Sequence, residues 1–243
     1  MAFAGLTAGT INAVVGSGTL ITFPVLLAIG YPPVTANVSN SIGLAFGQVS
    51  SAIGYRAELA GQWSRLVRFG VAAATGGALG AGLLLWLPSA VFETVVPVLI
   101  VAALVLVLAQ PMIARRLAQR RSVNGPKDGP LLFGALFAAG VYGGYFGAAQ
   151  GVLLVGLMGV LLDESLQRIN GIKNVLTAVA NLVSGVVFVF IADVDWLVVL
   201  VIAVSSVIGG QLGAKVGRRL PAAVLRGVIV LVGSIAVCLL LIR

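Results

Sequence analysis

The sequence predicts an all-α integral membrane protein made of two homologous halves, and three observations carry that expectation. First, 60% of the 243 residues are hydrophobic and only 9% are charged, with a mean hydropathy of +1.13. A soluble domain has roughly a quarter of its residues charged, so this chain has too little polar surface to cover itself. Second, the apolar stretches are continuous, as in 97-PVLIVAALVLVLAQ-110 and 228-VIVLVGSIAVCLLLI-242. Membrane β-strands alternate over segments of about ten residues, so these spans are helices. Third, the chain registers on itself when slid by 133 positions: Asn37 falls on Asn170, Ser51 on Ser184, Trp63 on Trp196, Gly76-Gly77 on Gly209-Gly210 and Leu87-Pro88 on Leu220-Pro221. Near the start of each half the offset is 131, which pairs Ala8-Gly9 with Ala139-Gly140 and Gly16 with Gly147. A fixed offset punctuated by glycine, proline and tryptophan marks an internal duplication.

The expected domains are a first transmembrane repeat, 1–113, a basic linker, 114–130, and a second repeat, 131–243. Each repeat has four apolar segments, about 2–29, 34–59, 66–87 and 89–113, then about 130–161, 165–192, 196–217 and 221–242. The opening segment of each is too long for one crossing. As a straight helix, 130–161 would run roughly 48 Å against about 30 Å of hydrocarbon. Both long segments break at glycine near their middle, at 16-GSG-18 and 143-GGYFGAAQG-151. Each is either a kinked, tilted span or a re-entrant hairpin, and with three transmembrane helices per half the total is about eight membrane segments.

Positive charge favours the hairpins. With eight full crossings the Lys and Arg residues divide poorly between the two faces. With two hairpins and six crossings, Arg56, Arg65, Arg68, the linker cations, Arg168, Lys215, Arg218, Arg219 and Arg226 share one face, and Arg243 lies opposite. The crowded face is cytoplasmic by the positive-inside rule. The expectation is a multi-pass protein of the plasma (cell inner) membrane, with both termini outside and the linker cytoplasmic. Three crossings per half invert the second repeat relative to the first, a common transporter plan.

Composition also removes whole classes of function. There is no histidine, there is one cysteine (Cys238, in an apolar run), and the seven carboxylates fall in or near predicted loops and span ends. A hydrolytic triad, a histidine metal centre or a carboxylate relay at mid-membrane has no parts to be built from. No enzyme, metal or cofactor is expected. The net charge of +8 sits at the ends of spans, where it sets topology, and does not point to nucleic acid. The glycine pairs Gly76/Gly80 and Gly209/Gly213 read as small-xxx-small helix packing, and 76-GGALGAG-82 is no dinucleotide site, since no strand precedes it.

What remains is polar chemistry inside the bilayer. A hairpin places a helix N-terminus at the midplane, where unpaired amides and the positive dipole end attract an anion. Gly16, Ser17, Gly18 and Thr19, with Asn12 just before them, are the first candidate cradle; Gly147, Gln150 and Gly151 are the second. The next segment of each half carries polar residues at helical spacing: Asn37, Ser41, Gln48 and Ser51, and Asn170, Asn174, Thr177, Asn181 and Ser184. Single residues of this kind bond neighbouring helices; a whole stripe reads as a path lined by Asn37, Gln48, Asn170, Asn174 and Asn181. Lys173 is the cation deepest in this stripe, either a site residue or a side chain snorkelling to the headgroups near Arg168.

The runs 9-GTINAVVGSGTLITFPVLLAIGYPP-33 and 36-ANVSNSIGLAFGQVSSAIGYRAEL-59 resemble the first repeat of the TauE/SafE sulfite-exporter family. The runs 142-YGGYFGAAQGVLL-154, 168-RINGIKNVL-176, 195-DW-196 and 209-GGQLGAKVGRRLP-221 resemble its second. The resemblance implies a transporter of sulfur-containing anions such as sulfite, sulfoacetate or related sulfonates. The expected partners are a small anionic substrate and the lipid bilayer, with no nucleic acid; a homo-oligomer is compatible with such a chain. Export also agrees with the physics, because each negative charge leaving an inside-negative cell gains about 2.3 kcal/mol per 100 mV. Proton-coupled uptake, an anion channel and a non-transporting scaffold are the alternatives.

Overall fold

The computed structural model describes residues 1–119, 129–215, 224 and 227–235. Most of the linker, the Leu220-Pro221 match, Cys238, Arg218, Arg219, Arg226 and Arg243 lie outside the described residues. Every element among the described residues is a helix. In chain order they are α1 (Ala2–Val14), α2 (Thr19–Ala28), α3 (Pro33–Gly54), α4 (Trp63–Trp86), α5 (Ser89–Gln119), α6 (Pro130–Tyr145), α7 (Gln150–Leu161), α8 (Leu166–Ile191) and α9 (Trp196–Lys215), followed by α10 over 227–235. The two long opening segments are thus each divided in two where the glycines stand.

Helix starts follow from local chemistry. Pro33 and Pro130 occupy first-turn positions, where a missing N–H costs nothing. Ser165 caps α8 by accepting the Arg168 N–H at 3.3 Å, and Asp195 caps α9 by accepting the Val198 N–H at 3.0 Å. Among the described residues four helices are long and apolar enough to cross a membrane: Trp63–Trp86, Ser89–Met112, Leu166–Ile191 and Trp196–Lys215. At 22 residues α3 would also reach across at 1.5 Å per residue, but its polar stripe makes it less apolar than those four.

Helices α3 and α8, the two polar-striped helices, pack on each other at the centre. Around them α9 packs on α1 and α3, and α4 packs on α6 and α8. These contacts are close because they are made at glycine. A Cβ placed on Gly213 would lie 2.6 Å from the Thr10 carbonyl oxygen, and one on Gly140 would lie 2.7 Å from that of Ala73. Gly9 likewise abuts Ser206, and Gly80 abuts Val141. Gly76, Gly77 and Gly80 therefore do what small residues do between membrane helices, letting backbones approach. The α1–α9 contacts (Gly9–Ser206, Gly213–Thr10) recur as α6–α4 contacts (Gly140–Ala73, Gly80–Val141) at the offsets found in the sequence.

An aromatic cluster ties the two divided segments together. The ring of Phe23 (α2) meets that of Phe146, the residue after α6, at 5.2 Å and 83° between planes. Phe92 (α5) meets Phe146 at 6.0 Å and Tyr145 at 5.7 Å. Such edge-to-face pairs add about 0.5–1.5 kcal/mol each beyond the area they bury.

Candidate site at the two helix breaks

The first break is a glycine C-cap followed at once by a new helix. The N–H groups of Val15 and Gly16 both donate to the Ile11 carbonyl, at 2.7 and 3.0 Å, and Gly16 takes φ +89°. Only glycine adopts that conformation without a Cβ clash. Gly18 then opens α2, its N–H donating to Asn12 Oδ1 at 2.6 Å. A Cβ on Gly18 would lie 2.5 Å from the Ala8 carbonyl oxygen. A straight helix would carry residue 18 roughly 15 Å beyond residue 8, so the chain turns back on itself here.

The second break repeats this with different side chains. The N–H groups of Phe146 and Gly147 donate to the Tyr142 carbonyl, both at 3.0 Å, and Gly147 takes φ +73°. Here Gln150, from the helix after the break, reaches back to the Ala139 carbonyl at 3.0 Å. Its amide fills the space above Gly143. Asn12 holds the first break from the helix before it, and Gln150 holds the second from the helix after it.

The two breaks touch. The Gly151 N–H donates to the Gly16 carbonyl at 3.0 Å, and a Cβ on Gly16 would lie 2.5 Å from the Gly151 Cα. With Gly18 given to Asn12 and Gly151 given to Gly16, two leading amides of the paired helix starts are engaged within the protein. The breaks are closed against each other.

Lys173 does not snorkel. It is fully buried, and its Nζ donates to the carbonyls of Asn12 and Ala13 at 3.0 and 3.1 Å. These are carbonyls of the last turn of α1, where the helix dipole is negative and a cation is favoured. On the way its stem passes over Gly151, so one side chain spans both breaks. Among the described residues no carboxylate bonds it. Asn174 donates to the same Ala13 carbonyl at 3.4 Å, and Asn37, from α3, donates to the Tyr145 carbonyl at the end of α6 at 3.0 Å.

Of the predicted residues, Asn12, Gly16, Ser17, Gly18, Thr19, Gly147, Gln150, Gly151, Asn37, Lys173 and Asn174 all gather at the breaks. Three of them, Ser17 Oγ, Asn37 Oδ1 and Asn174 Oδ1, are buried acceptors without a hydrogen-bond partner. Two others lie further along and satisfy each other: Asn181 donates to Gln48 Oε1 at 2.9 Å, joining residues related by the repeat offset. Asn170 is half-buried, one turn before Asn174. Sequence reasoning missed Asn40, which is fully buried and accepts from Thr22 Oγ1, and Tyr142, whose hydroxyl donates to the Ala148 carbonyl. The spacing of Asn40, three residues after Asn37, was a usable signal.

Two polar ties lie at the helix starts outside this centre. Arg65 and Arg168 both bond Glu164, at 2.7 and 3.1 Å, and the Tyr31 hydroxyl donates to Asp195 Oδ2 at 3.0 Å. The Val198 N–H first, and the Tyr31 hydroxyl after it, hold the Asp195 carboxyl below its ordinary value of 3.8, while the bond to Asp195 raises the Tyr31 phenol. A depressed carboxyl contributes stability that is complete above its unfolded pKa and lost only as pH falls through the lower folded value. The gap in unfolding temperature between the native chain and Tyr31→Phe is therefore expected to be equal at pH 5 and pH 8. A gap that shrinks at pH 5 would contradict this.

The family profile described as Sulfite exporter TauE/SafE matches residues 1–240. A probable membrane transporter protein of Haemophilus influenzae is 29% identical over 213 residues, covering 87% of this chain and 81% of its own. The probable membrane transporter protein YfcA of Escherichia coli K12 is 25% identical, with 96% and 85% covered. YdhB of Bacillus subtilis, described in the same words, is 27% identical, with 98% and 96% covered. No solved structure matches the chain.

Proposed function

The chain belongs to the TauE/SafE sulfite exporter family, and from that premise we propose that this membrane transporter exports a small sulfur-containing anion, sulfite or a sulfonate, through the junction of its two helix breaks. The observation that carries the reading is the set of unpaired buried acceptors at that junction. Leaving a buried polar group unsatisfied costs about 1–3 kcal/mol, and Ser17, Asn37 and Asn174 each leave one. The Ser17 hydroxyl can rotate to donate towards an anion, and each asparagine Nδ2, which gives one hydrogen to a carbonyl, has a second N–H to offer. Lys173 adds a positive charge that the partial negative end of α1 offsets only in part.

The domain plan follows the same reading: two inverted repeats, 1–113 and 131–243, each with a re-entrant pair of short helices and three crossings, joined by the linker 114–130. Recurrence of the α1–α9 glycine contacts as α6–α4 contacts supports it. In this arrangement, parting Gly16 from Gly151 frees the Gly151 N–H, and turning the Asn12 side chain frees that of Gly18. The cradle opens as the breaks separate. Placement in the plasma membrane with both termini outside follows from the charge distribution.

The test is sulfite efflux from loaded proteoliposomes under an imposed potential, native chain against Ser17→Ala. Efflux is expected to rise with an inside-negative potential. The Ser17→Ala variant should raise the KM for sulfite about tenfold, the worth of one hydrogen bond to a charged group, without lowering the unfolding temperature, since no native bond is lost. Absence of flux for sulfite and for a panel of sulfonates would sink the substrate class. Efflux that follows an imposed pH gradient and ignores potential would favour proton-coupled movement.

A further inference from the structure

Helices α4 and α8 do not stay in contact along their length. At Gly77 the backbones meet: a Cβ there would lie 3.1 Å from the Ala180 Cα. Two turns earlier along α4, at Gly70, no atom lies within 4 Å of where a Cβ would stand, although Gly70 itself is buried. The helices diverge and glycine leaves the gap unfilled. The result is a groove of about 510 Å³ with Leu66, Val71, Val175 and Val179 on its walls. Its rim carries Trp63 and Arg56. Trp63 is 79% exposed, as an aromatic ring at the level of lipid headgroups is expected to be.

Arg56 gives the groove its selectivity. Its guanidinium is exposed and makes no hydrogen bond or ion pair among the described residues. On its other side a second cleft of about 520 Å³ is bounded by Glu58, Gln211 and Lys215. An apolar slot that ends in an arginine at the membrane surface matches a lipid with a hydrocarbon chain and a phosphate carrying net negative charge. We infer that the α4–α8 groove binds an anionic glycerophospholipid, one acyl chain lying over Gly70 and its phosphate resting on Arg56. A zwitterionic lipid fits the slot equally well but brings its own cation to the same place. The inference needs only that the chain spans a membrane and is independent of the transported anion.

The experiment uses Trp63 as reporter. The exposed Trp86 and Trp196 are changed to phenylalanine, and the protein is reconstituted into phosphatidylcholine vesicles containing chain-brominated phosphatidylglycerol or chain-brominated phosphatidylcholine. Brominated phosphatidylglycerol is expected to compete for quenching of Trp63 roughly fivefold better, the attraction of one arginine at a membrane surface. Arg56→Gln should make the two lipids equal. Gly70→Leu, whose Cβ would have no protein atom within 4 Å and which favours helix, should also make them equal, with thermal unfolding showing that the fold is kept. Equal quenching in the parent would overturn the proposal, and so would a phosphatidylglycerol preference that survives Gly70→Leu, which would place the lipid elsewhere.

Discussion

Gly16→Ala is expected to destabilise this protein by several kcal/mol and to abolish transport, although it adds a single methyl group. Two costs combine. The residue sits at φ +89°, a left-handed conformation that costs a side-chain-bearing residue about 1–2 kcal/mol. The new Cβ also falls 2.5 Å from the Gly151 Cα, backbone that cannot swing aside, so the breaks must part and the Gly151 N–H to Gly16 carbonyl bond is lost. Two buried groups left unpaired cost about 1–3 kcal/mol each. Gly30→Ala is the control: Gly30 has φ +96°, with nothing within 4 Å of its Cβ position, so it bears the strain without the collision. Thermal unfolding in detergent should separate the two by at least roughly 2 kcal/mol, using the lower figure for each lost partner. Equal effects at both positions would mean that the breaks do not touch.

Lys173→Gln is the second large effect. The native amine holds two carbonyls at the last turn of α1 with its stem over Gly151. Hydrogen bonds from a charged donor contribute about 1.5–3 kcal/mol, and a cation at a helix C-terminus contributes up to about 2 kcal/mol in a partly buried setting. Glutamine keeps an NH₂ but loses the charge and some of the reach. Efflux should fall at least tenfold, which is about 1.4 kcal/mol, through a raised KM for the anion. Lys173→Arg, which keeps the charge in a bulkier group, should retain more flux than the neutral variant even if it packs less well. Flux in Lys173→Gln equal to the native value would reduce the lysine to a cap on α1.

Much of this architecture was legible before any coordinates. Hydropathy located the long apolar helices among the described residues, and the excess length of 2–29 and 130–161 announced the breaks that the structure places at 15–18 and 146–149. The glycine pairs Gly76/Gly80 and Gly209/Gly213 read correctly as packing. The polar stripe did not read so well, because its residues look alike in sequence and differ only in their partners. Gln48 and Asn181 bond each other, while Asn37 and Asn174 each keep an acceptor unpaired. Tyr142 escaped notice because a lone tyrosine in an apolar helix has no pattern of its own, whereas Asn40 stands one turn from Asn37 in a helix rich in buried polar residues.

The sequence by itself determined what is decided within a turn or two of chain: where apolar runs become helices, where glycine must turn them, where proline and serine start them. These depend on local dihedral freedom and on transfer of side chains from water, and both are properties of short segments. Only the tertiary structure decided that Gly16 meets Gly151, that Asn12 and Gln150 hold equivalent breaks from opposite sides, and that Lys173 turns inward to the end of α1. The reason is physical. Whether a buried lysine reaches a headgroup or a carbonyl depends on which unsatisfied acceptor lies within the length of its side chain, and the acceptors here belong to a helix in the other half of the protein.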